Sequence, residues 1–265
     1  MSDNILEKII KKKIEKIDVL KKTIDVKSLN EIINKNNSFI DFKNKINNNL
    51  IDNKSSIIAE IKKASPSAGV IIDDYNPVEI AKIYQDNKVT CLSVLTEEDF
   101  FLGNLIHISK IKDKINLPIL CKDFFVDPYQ VYEASMLGAH CILILLKSTN
   151  LKMASLLYDA ALDCGLDSII EVHNENEMNI ALQFKESIIG INNRNLETFD
   201  TSLETTIDIC KKFNLTNRTL ICESGINTGN DIKKIINATG ITNFLVGESL
   251  IKSDSINQKL KELTS

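Results

Sequence analysis

Eight short runs of apolar and β-branched residues recur along the chain from Ser56 onward, and each is followed by a stretch with helical character. Strands that alternate with helices predict βαβ crossovers and a parallel α/β sheet. Eight such units without a long interruption favour closure into a (β/α)8 barrel, also called a TIM barrel. The predicted strands are 57–61, 90–95, 118–121, 141–146, 168–172, 188–191, 219–222 and 243–246.

An open doubly wound sheet is the structural alternative. Such a sheet usually carries a glycine-rich dinucleotide turn after its first strand, whereas residues 62–67 read KKASPS here. Helices are predicted at 77–86, 127–137, 153–164 and 231–236, and Gly138, Gly165 and Gly240 each end a helical stretch just before a strand. The glycine positions therefore support the strand and helix boundaries of a barrel.

The polar, lysine-rich start of the chain has apolar residues at helical spacing from Ile5 to Leu20. Residues 35–49 read as a loop or a short helix that leads into the core. We therefore expect residues 1–50 to form a helical extension packed on the barrel, and residues 51–265 to form the catalytic barrel. A length of 265 residues suits one such domain overall.

Composition limits the partners of the chain. The formal net charge is −4 and basic residues are spread out, which argues against a nucleic-acid partner. No apolar run is long enough to cross a bilayer, and no signal peptide is visible, so we expect a cytoplasmic protein without a membrane partner. The six cysteines lack metal or redox spacing, and we expect no metal and no cofactor. A monomer is possible, and an oligomer is left open.

Chemically capable residues follow six of the eight predicted strands. In a parallel barrel the carboxyl ends of the strands face one shared pocket. Lysine and glutamate side chains that converge in a partly dry pocket shift each other's pKa and suit acid–base work near neutral pH. The residues at these strand ends are Glu60, Lys62, Lys122, Glu171, Asn192, Arg194, Glu223, Ser224 and Glu248.

A phosphate site is expected after the last two strands, because barrels commonly bind phosphate there through backbone N–H groups. Gly225 and Gly247 would let the backbone approach a phosphate, and Ser224 and Ser249 could donate hydroxyls. Ser65 and Ser67 could reach the same anion from across the closed barrel. Ordinary turn residues are the competing interpretation of these positions.

Two further residue types have both a functional and a structural interpretation. Phe100, Phe101 and Phe124 could line the apolar wall of a pocket or simply pack in the core or in loops. His173 follows Glu171 by two residues and could face the pocket, but a helix-capping or solvated role is the favoured interpretation.

Seven segments, one for each of seven predicted barrel units, together resemble the ordered motifs of indole-3-glycerol-phosphate synthases. They span nearly the whole chain from Ser56 to Lys252, and their order is more specific than any single motif. The start of the chain also resembles the N-terminal extension of that family. The segments are IAEIKKASPS at 58–67, SVLTE at 93–97, LCKDF at 120–124, IEVH at 170–173, GINNRNL at 190–196, ESGI at 223–226 and LVGESL at 245–250.

This resemblance implies a carbon–carbon lyase of the carboxy-lyase class in tryptophan biosynthesis. The family closes the ring of 1-(2-carboxyphenylamino)-1-deoxyribulose 5-phosphate, with loss of carbon dioxide and water, to give indole-3-glycerol phosphate. By resemblance, Lys122 is the general acid for ring closure, Glu171 is an acid or base in later steps, and Glu60 and Lys62 complete the proton-transfer network. The implied substrate-binding residues are Asn192, Arg194, Glu223, Phe124 and Phe101, and the implied phosphate-binding residues are Ser65, Ser224, Gly225, Gly247 and Glu248, the last through its backbone N–H.

Two alternatives stay open at this stage. One is another phosphate-binding barrel enzyme, such as a phosphoribosylanthranilate isomerase, which would not need Lys62, Lys122 and Glu171 together. The other is a non-catalytic barrel that binds a phosphorylated small molecule, although every catalytic candidate is present.

Overall fold

The structure is a computed structural model that describes residues 5–35, 41–51 and 55–264. Eight parallel strands, which we number β1 to β8, close into a barrel in which each strand pairs with its sequence neighbours and β1 also pairs with β8. The predicted (β/α)8 barrel is confirmed, and every predicted strand boundary falls within one residue of the observed one. The strands are Ser56–Ile61, Cys91–Leu95, Ile119–Lys122, Cys141–Leu145, Asp167–Val172, Ile188–Asn192, Leu220–Glu223 and Asn243–Val246.

Twelve α-helices lie in the described part of the chain, and their boundaries follow local capping chemistry. For example, α4 begins at Pro77 after Asn76, whose side chain accepts hydrogen bonds from the first-turn N–H groups, and α10 ends at Gly240 in the left-handed region. The helices α1 to α12 are Ile5–Leu20, Val26–Lys35, Phe42–Ile51, Pro77–Asp86, Ile106–Lys112, Pro128–Met136, Leu151–Asp163, Glu175–Ala181, Glu204–Lys212, Gly229–Thr239, Glu248–Ile251 and Ile256–Thr264.

The barrel interior is apolar at its amino-terminal end and polar at its carboxyl end. Strand side chains alternate in direction, so every second residue of each strand points inward. Ile58 and Leu120 fill the lower interior, and Phe42 and Ile46 from α3 join them there, fully buried. The next inward residues along β1 and β3 are Glu60 and Lys122. This alternation places the polar side chains at the end of the barrel that barrel enzymes use for their sites.

Helices α1 and α2 pack on the outside of the barrel, unlike α3, which closes its lower interior. Ile17 of α1, Leu29 of α2 and Tyr129 of α6 form a buried apolar cluster. Helix α1 also reaches the loops after β2 and β3 through ion pairs, of which Lys13 to Asp123 is the most buried, at 2.6 Å. Helix α2 was not predicted. The segment 35–49, predicted as a loop or short helix, contains the start of α3, and its residues 36–40 lie outside the described part.

A two-stranded antiparallel hairpin follows β1. It pairs Ala64–Ser65 with Gly69–Val70, and Gly69 turns the chain with a φ of 66°. The hairpin was not predicted, because the KKASPS segment has no strand-like alternation. It bends back over the carboxyl end of the barrel and brings Ser65 and Ser67 to the mouth of the pocket.

Candidate active site

Four ionisable side chains converge inside the carboxyl end of the barrel, and all four come from odd-numbered strands. In a barrel interior, alternate strands contribute the side chains of one layer. The sequence predicted that strand-end residues share one pocket, and the structure places Glu60 and Glu223 within 4 Å of Nζ of Lys122. The four residues are Glu60 of β1, Lys122 of β3, Glu171 of β5 and Glu223 of β7.

Glu60 lies between two lysines. Its Oε1 is 2.6 Å from Nζ of Lys62, and its Oε2 accepts a 2.8 Å hydrogen bond from Nζ of Lys122. Burial alone would raise the pKa of Glu60, but Lys122 and Lys62 outweigh it and hold that pKa well below its ordinary value. Burial lowers the pKa of Lys122, whereas Glu60 and the two other carboxylates raise it above its ordinary value. The pair is therefore ionised at neutral pH.

Glu223 is the most deeply buried of the carboxyl groups. Neither of its oxygens has a hydrogen-bond partner within the described residues, and Oε2 is 3.8 Å from Nζ of Lys122. Burial and the neighbouring Glu171 raise the pKa of Glu223 well above its ordinary value. A protonated, neutral Glu223 is therefore favoured near neutral pH. It lies behind the pocket lining rather than in it.

Gly190 makes room for this carboxyl group, a role that the sequence did not indicate. A Cβ at position 190 would lie 2.1 Å from Oε1 of Glu223. Gly247 does the same for Glu60, because a Cβ there would lie 2.4 Å from its Oε1 and 2.9 Å from its Cβ. The predicted role of Gly247 was a close backbone approach to phosphate, and the structure adds this second reason for glycine.

Two residues face the Glu171 carboxylate, Asn192 on the neighbouring strand β6 and His173 directly after β5. Its Oε1 accepts a 2.9 Å hydrogen bond from Nδ2 of Asn192 on β6, and Nε2 of His173 lies 3.3 Å from the same oxygen. Burial raises the pKa of Glu171, but His173, Lys122 and Asn192 outweigh it, so that pKa is below its ordinary value. The interpretation of His173 as a solvated residue was wrong, because its side chain is only 10% exposed. The helix-capping role was also wrong, because Asn174 caps α8.

The apolar wall of the pocket contains Phe101 and Phe124, two of the three phenylalanines that the sequence left open as wall or packing residues. Their ring centroids are 6.1 Å apart and tilted by 40°. Phe101 is fixed by its backbone N–H, which donates to Oε2 of Glu97 in the loop after β2. Phe100 lies outside the pocket lining, and Nζ of Lys12 sits 5.5 Å from its ring centroid. Additional apolar lining that the sequence did not indicate comes from Leu95, Leu143, Leu145, Leu196, Phe199 and Leu245.

A polar cluster stands at the mouth of the pocket. Nη1 of Arg194 lies 3.4 Å from Oγ of Ser67, and Oγ of Ser65 lies 3.4 Å from Oγ of Ser67. Nη2 of Arg194 donates to Oε2 of Glu248 at 2.6 Å. Lys252 and Arg194 lower the pKa of Glu248 to about 2, so this side chain is an anion and could not itself face a phosphate. Only its backbone N–H is suited to that contact.

The turn after β7 has an unusual backbone. Ser224 and Gly225 both adopt positive φ, at 63° and 83°, and such strain in a residue other than glycine clusters at functional sites. Nδ2 of Asn193 donates to the carbonyl of Ser224 and holds the turn. Ser224 lines the pocket and Gly225 does not, and a Cβ at position 225 would lie 2.8 Å from Cγ2 of Thr201. The hydroxyl of Ser249, a predicted donor to phosphate, instead donates to the carbonyl of Ile226.

Residues 5–35, 41–51 and 55–264 contain no group of three or more His, Cys, Asp or Glu side chains that could hold a metal ion. Within the same ranges, no helix has the length and apolar character needed to cross a membrane.

A sequence model of the family described as "Indole-3-glycerol phosphate synthase" matches residues 6–263. The chain belongs to the indole-3-glycerol phosphate synthase family. A synthase of this name from Alkaliphilus metalliredigens is 44% identical over 79% of this chain and 80% of its own length. One from Legionella pneumophila strain Paris is 40% identical over 98% of both chains.

Solved structures of other enzymes share only the fold with this member of the synthase family. The tryptophan synthase α subunit of Legionella pneumophila superposes with a TM-score of 0.63 at 12% identity, covering 84% of this chain and 97% of that chain. A phosphoribosylanthranilate isomerase from Thermotoga maritima superposes with a TM-score of 0.55 at 10% identity, covering 79% and 96%. The isomerase alternative therefore has support from the fold alone, whereas the synthase family has support from sequence along nearly the full chain.

Proposed function

We propose that this protein converts 1-(2-carboxyphenylamino)-1-deoxyribulose 5-phosphate into indole-3-glycerol phosphate, with release of carbon dioxide and water, as a carboxy-lyase of tryptophan biosynthesis. The observation that carries the proposal is the position of Lys122. Its ammonium group is hydrogen-bonded to Glu60 at the base of a pocket that has an aromatic wall on one side and Ser and Arg side chains at its mouth. The membership of the synthase family supports the same reaction.

The first step is ring closure, in which the aromatic ring attacks the ribulose carbonyl. The developing oxyanion needs a proton donor, and Lys122 is a protonated cation that lines the pocket. When the carbonyl oxygen takes the place of Glu60 beside Nζ, the interaction that holds the proton on the lysine weakens. The transfer then becomes easier at the moment of reaction, because only the transition state carries the extra negative charge.

The later steps need proton transfers but no electron sink. Loss of the carboxylate restores the aromaticity of the ring after the carbon–carbon bond has formed, so the reaction requires no cofactor. Dehydration needs an acid and a base, and we propose Glu171 for this work, with Glu60 and Lys62 completing the network. Lys62 is also placed to meet the substrate carboxylate. Glu223, predicted from the sequence as a substrate-binding residue, is fully buried behind the pocket lining, beside Lys122.

Substrate binding divides the pocket into an apolar half and a polar half. We propose that Phe101 and Phe124 contact the anthranilate ring, and that Asn192 and Arg194 orient the ribulose chain. The phosphate then lies at the mouth of the pocket, where Arg194 exchanges its contact with Glu248 for the anion. The proposed phosphate ligands that line the pocket are Ser65, Ser224 and Gly247; Gly225 and the backbone N–H of Glu248, also predicted from the sequence, lie outside that lining.

The division of the chain follows from the same proposal. Residues 51–265 would form the catalytic barrel, and residues 1–50 an extension that braces the loops bearing the aromatic wall. The buried pair between Lys13 of α1 and Asp123, next to the proposed general acid, supports this role. We propose a cytoplasmic enzyme whose partner is a phosphorylated small molecule rather than nucleic acid or membrane.

The test is turnover of the purified protein with the carboxyphenylamino substrate, followed by indole fluorescence. We expect a fluorescent product and one equivalent of carbon dioxide. As the control for the isomerase alternative, the same protein is given phosphoribosylanthranilate, which it should leave unchanged. No indole product from folded protein would overturn the proposal, and turnover of the second compound would support the alternative.

A further inference from the structure

His173 bridges two carboxylates at the carboxyl end of β5. On one side, its backbone N–H donates to Oε2 of Glu177 at 2.8 Å, and its Nδ1 lies 3.2 Å from the same oxygen. On the other side, its Nε2 lies 3.3 Å from Oε1 of Glu171. The histidine side chain is 10% exposed and the two carboxylates are 14% and 4% exposed, so the arrangement is shielded from solvent.

The outer carboxylate of this bridge is rigidly held. Oε1 of Glu177 accepts a 2.8 Å hydrogen bond from Nδ2 of Asn174, and the backbone N–H of Glu177 donates to Oδ1 of the same asparagine at the start of α8. Because a carboxylate can only accept, Nδ1 of His173 must carry a proton. Nε2 therefore faces Glu171 either as a lone pair or, in the imidazolium, as a second N–H.

The surroundings of Glu171 favour the imidazolium. The charged or polar groups that face it are Lys122 from β3, Asn192 from β6 and Glu223 from β7, besides His173, which directly follows β5. Lys122 is hydrogen-bonded to Glu60. Burial lowers the pKa of His173, but Glu171 and Glu177 outweigh it and raise that pKa to about 9.

We propose that His173, braced by Glu177, is a positioning residue that fixes Oε1 of Glu171 and keeps this carboxylate charged during turnover. The proposal rests on the proposed function, in which Glu171 transfers protons. It matters most when Lys122 has given its proton to the substrate, because His173 is then the cation that remains beside Glu171. Asn192 donates a hydrogen bond to Oε1, and Nε2 of His173 faces the same oxygen at 3.3 Å without hydrogen-bond geometry; no hydrogen bond within the described residues engages Oε2, which is left for the substrate.

The kinetic test is the pH dependence of kcat in His173→Gln, which keeps a polar side chain but removes the charge. A neighbouring opposite charge shifts a carboxyl pKa by about 1–3 units, so the acidic limb of the profile should move up by about 1 pH unit or more. KM should stay within about threefold, because Oε2 and the other substrate contacts are unchanged. Glu177→Gln should move the limb in the same direction by less, because it acts through His173.

The matched control is His140→Gln, which changes a buried histidine at the opposite end of the barrel. Nδ1 of His140 accepts a hydrogen bond from the backbone N–H of Ile119, so this variant should lose stability without moving the pH profile. A profile of His173→Gln that superimposes on the wild-type profile overturns the proposal. Equal shifts of the pH profile in His173→Gln and His140→Gln overturn the proposal as well, because the shift would then come from a general loss of stability.

A titration by NMR needs no turnover and separates this proposal from the proposed function. The imidazole of His173 should titrate near pH 9 in the wild-type protein and at least about 1 unit lower in Glu171→Gln. A wild-type midpoint at the ordinary value near 6.5 overturns the proposal. If the wild-type protein makes no indole product, the proposed function fails, while the titration still decides whether Glu171 holds His173 in its charged form.

Discussion

Replacement of Gly247 by alanine tests the close contact between the last strand and Glu60. The added Cβ would lie 2.4 Å from Oε1 of Glu60 and 2.9 Å from its Cβ, distances that force one side to move. The carboxylate cannot swing aside freely, because Lys62 and Lys122 hold its two oxygens at 2.6 Å and 2.8 Å. A shift of Glu60 therefore also displaces Lys122, the proposed general acid.

The expected cost has a structural part and a catalytic part. Overpacking of a tight site costs about 1–3 kcal/mol, which for a domain of this size lowers the melting temperature by about 2–12 °C. Displacement of a catalytic group by about 1 Å costs on the order of a hundredfold in rate. We expect kcat to fall by about 10- to 100-fold, measured by indole fluorescence at saturating substrate and at a temperature where the variant is folded.

Gly240→Ala is the matched control. Gly240 has a φ of 76°, so alanine is strained there by about 1–2 kcal/mol, but nothing lies within 4 Å of the added Cβ. This variant should lose comparable stability and keep its kcat. A Gly247→Ala protein with kcat within twofold of wild type would refute the reasoning, because Glu60 would then have moved without any effect on Lys122.

Three further substitutions probe other contacts. Glu60→Gln should weaken the dependence of the melting temperature on pH in the acid range. Folding lowers the pKa of Glu60, so its contribution to stability is present above about pH 4 and is lost as the pH falls. The melting temperature of the wild type, but not of the variant, should drop for this reason. Arg194→Ala should raise KM by about 10- to 100-fold with a smaller effect on kcat, because a charged hydrogen bond to phosphate is lost. Lys13→Ala should cost about 3 kcal/mol in denaturant unfolding, because Asp123 loses its buried partner.

The barrel was predictable because two physical rules repeat eight times. Alternation of buried side chains along a strand, and the need of each helix to cover the sheet, give boundaries such as 57–61 in the sequence against Ser56–Ile61 in the structure. The same alternation explains why Glu60, Lys122 and Glu171 could be expected to share one pocket. Helix α2 and the hairpin after β1 have no comparable repeat, and the sequence did not indicate them.

The parts of the site that the sequence did not indicate depend on contacts between distant residues. Whether His173 is solvated or buried is decided by Glu177 and the cap of α8, which close over it. Gly190 gives no local signal, since its role is to leave space for a carboxyl group on the next strand. A spacing of two residues after Glu171 was the one available hint that His173 points into the barrel.

The most direct test of the central claim is a single-turnover measurement on Lys122→Ala with excess enzyme over the carboxyphenylamino substrate. If Lys122 is the proton donor for ring closure, the rate of indole formation should fall by about 10²- to 10⁴-fold, while the folded protein still binds the substrate. An undiminished rate of ring closure in this variant would contradict the account.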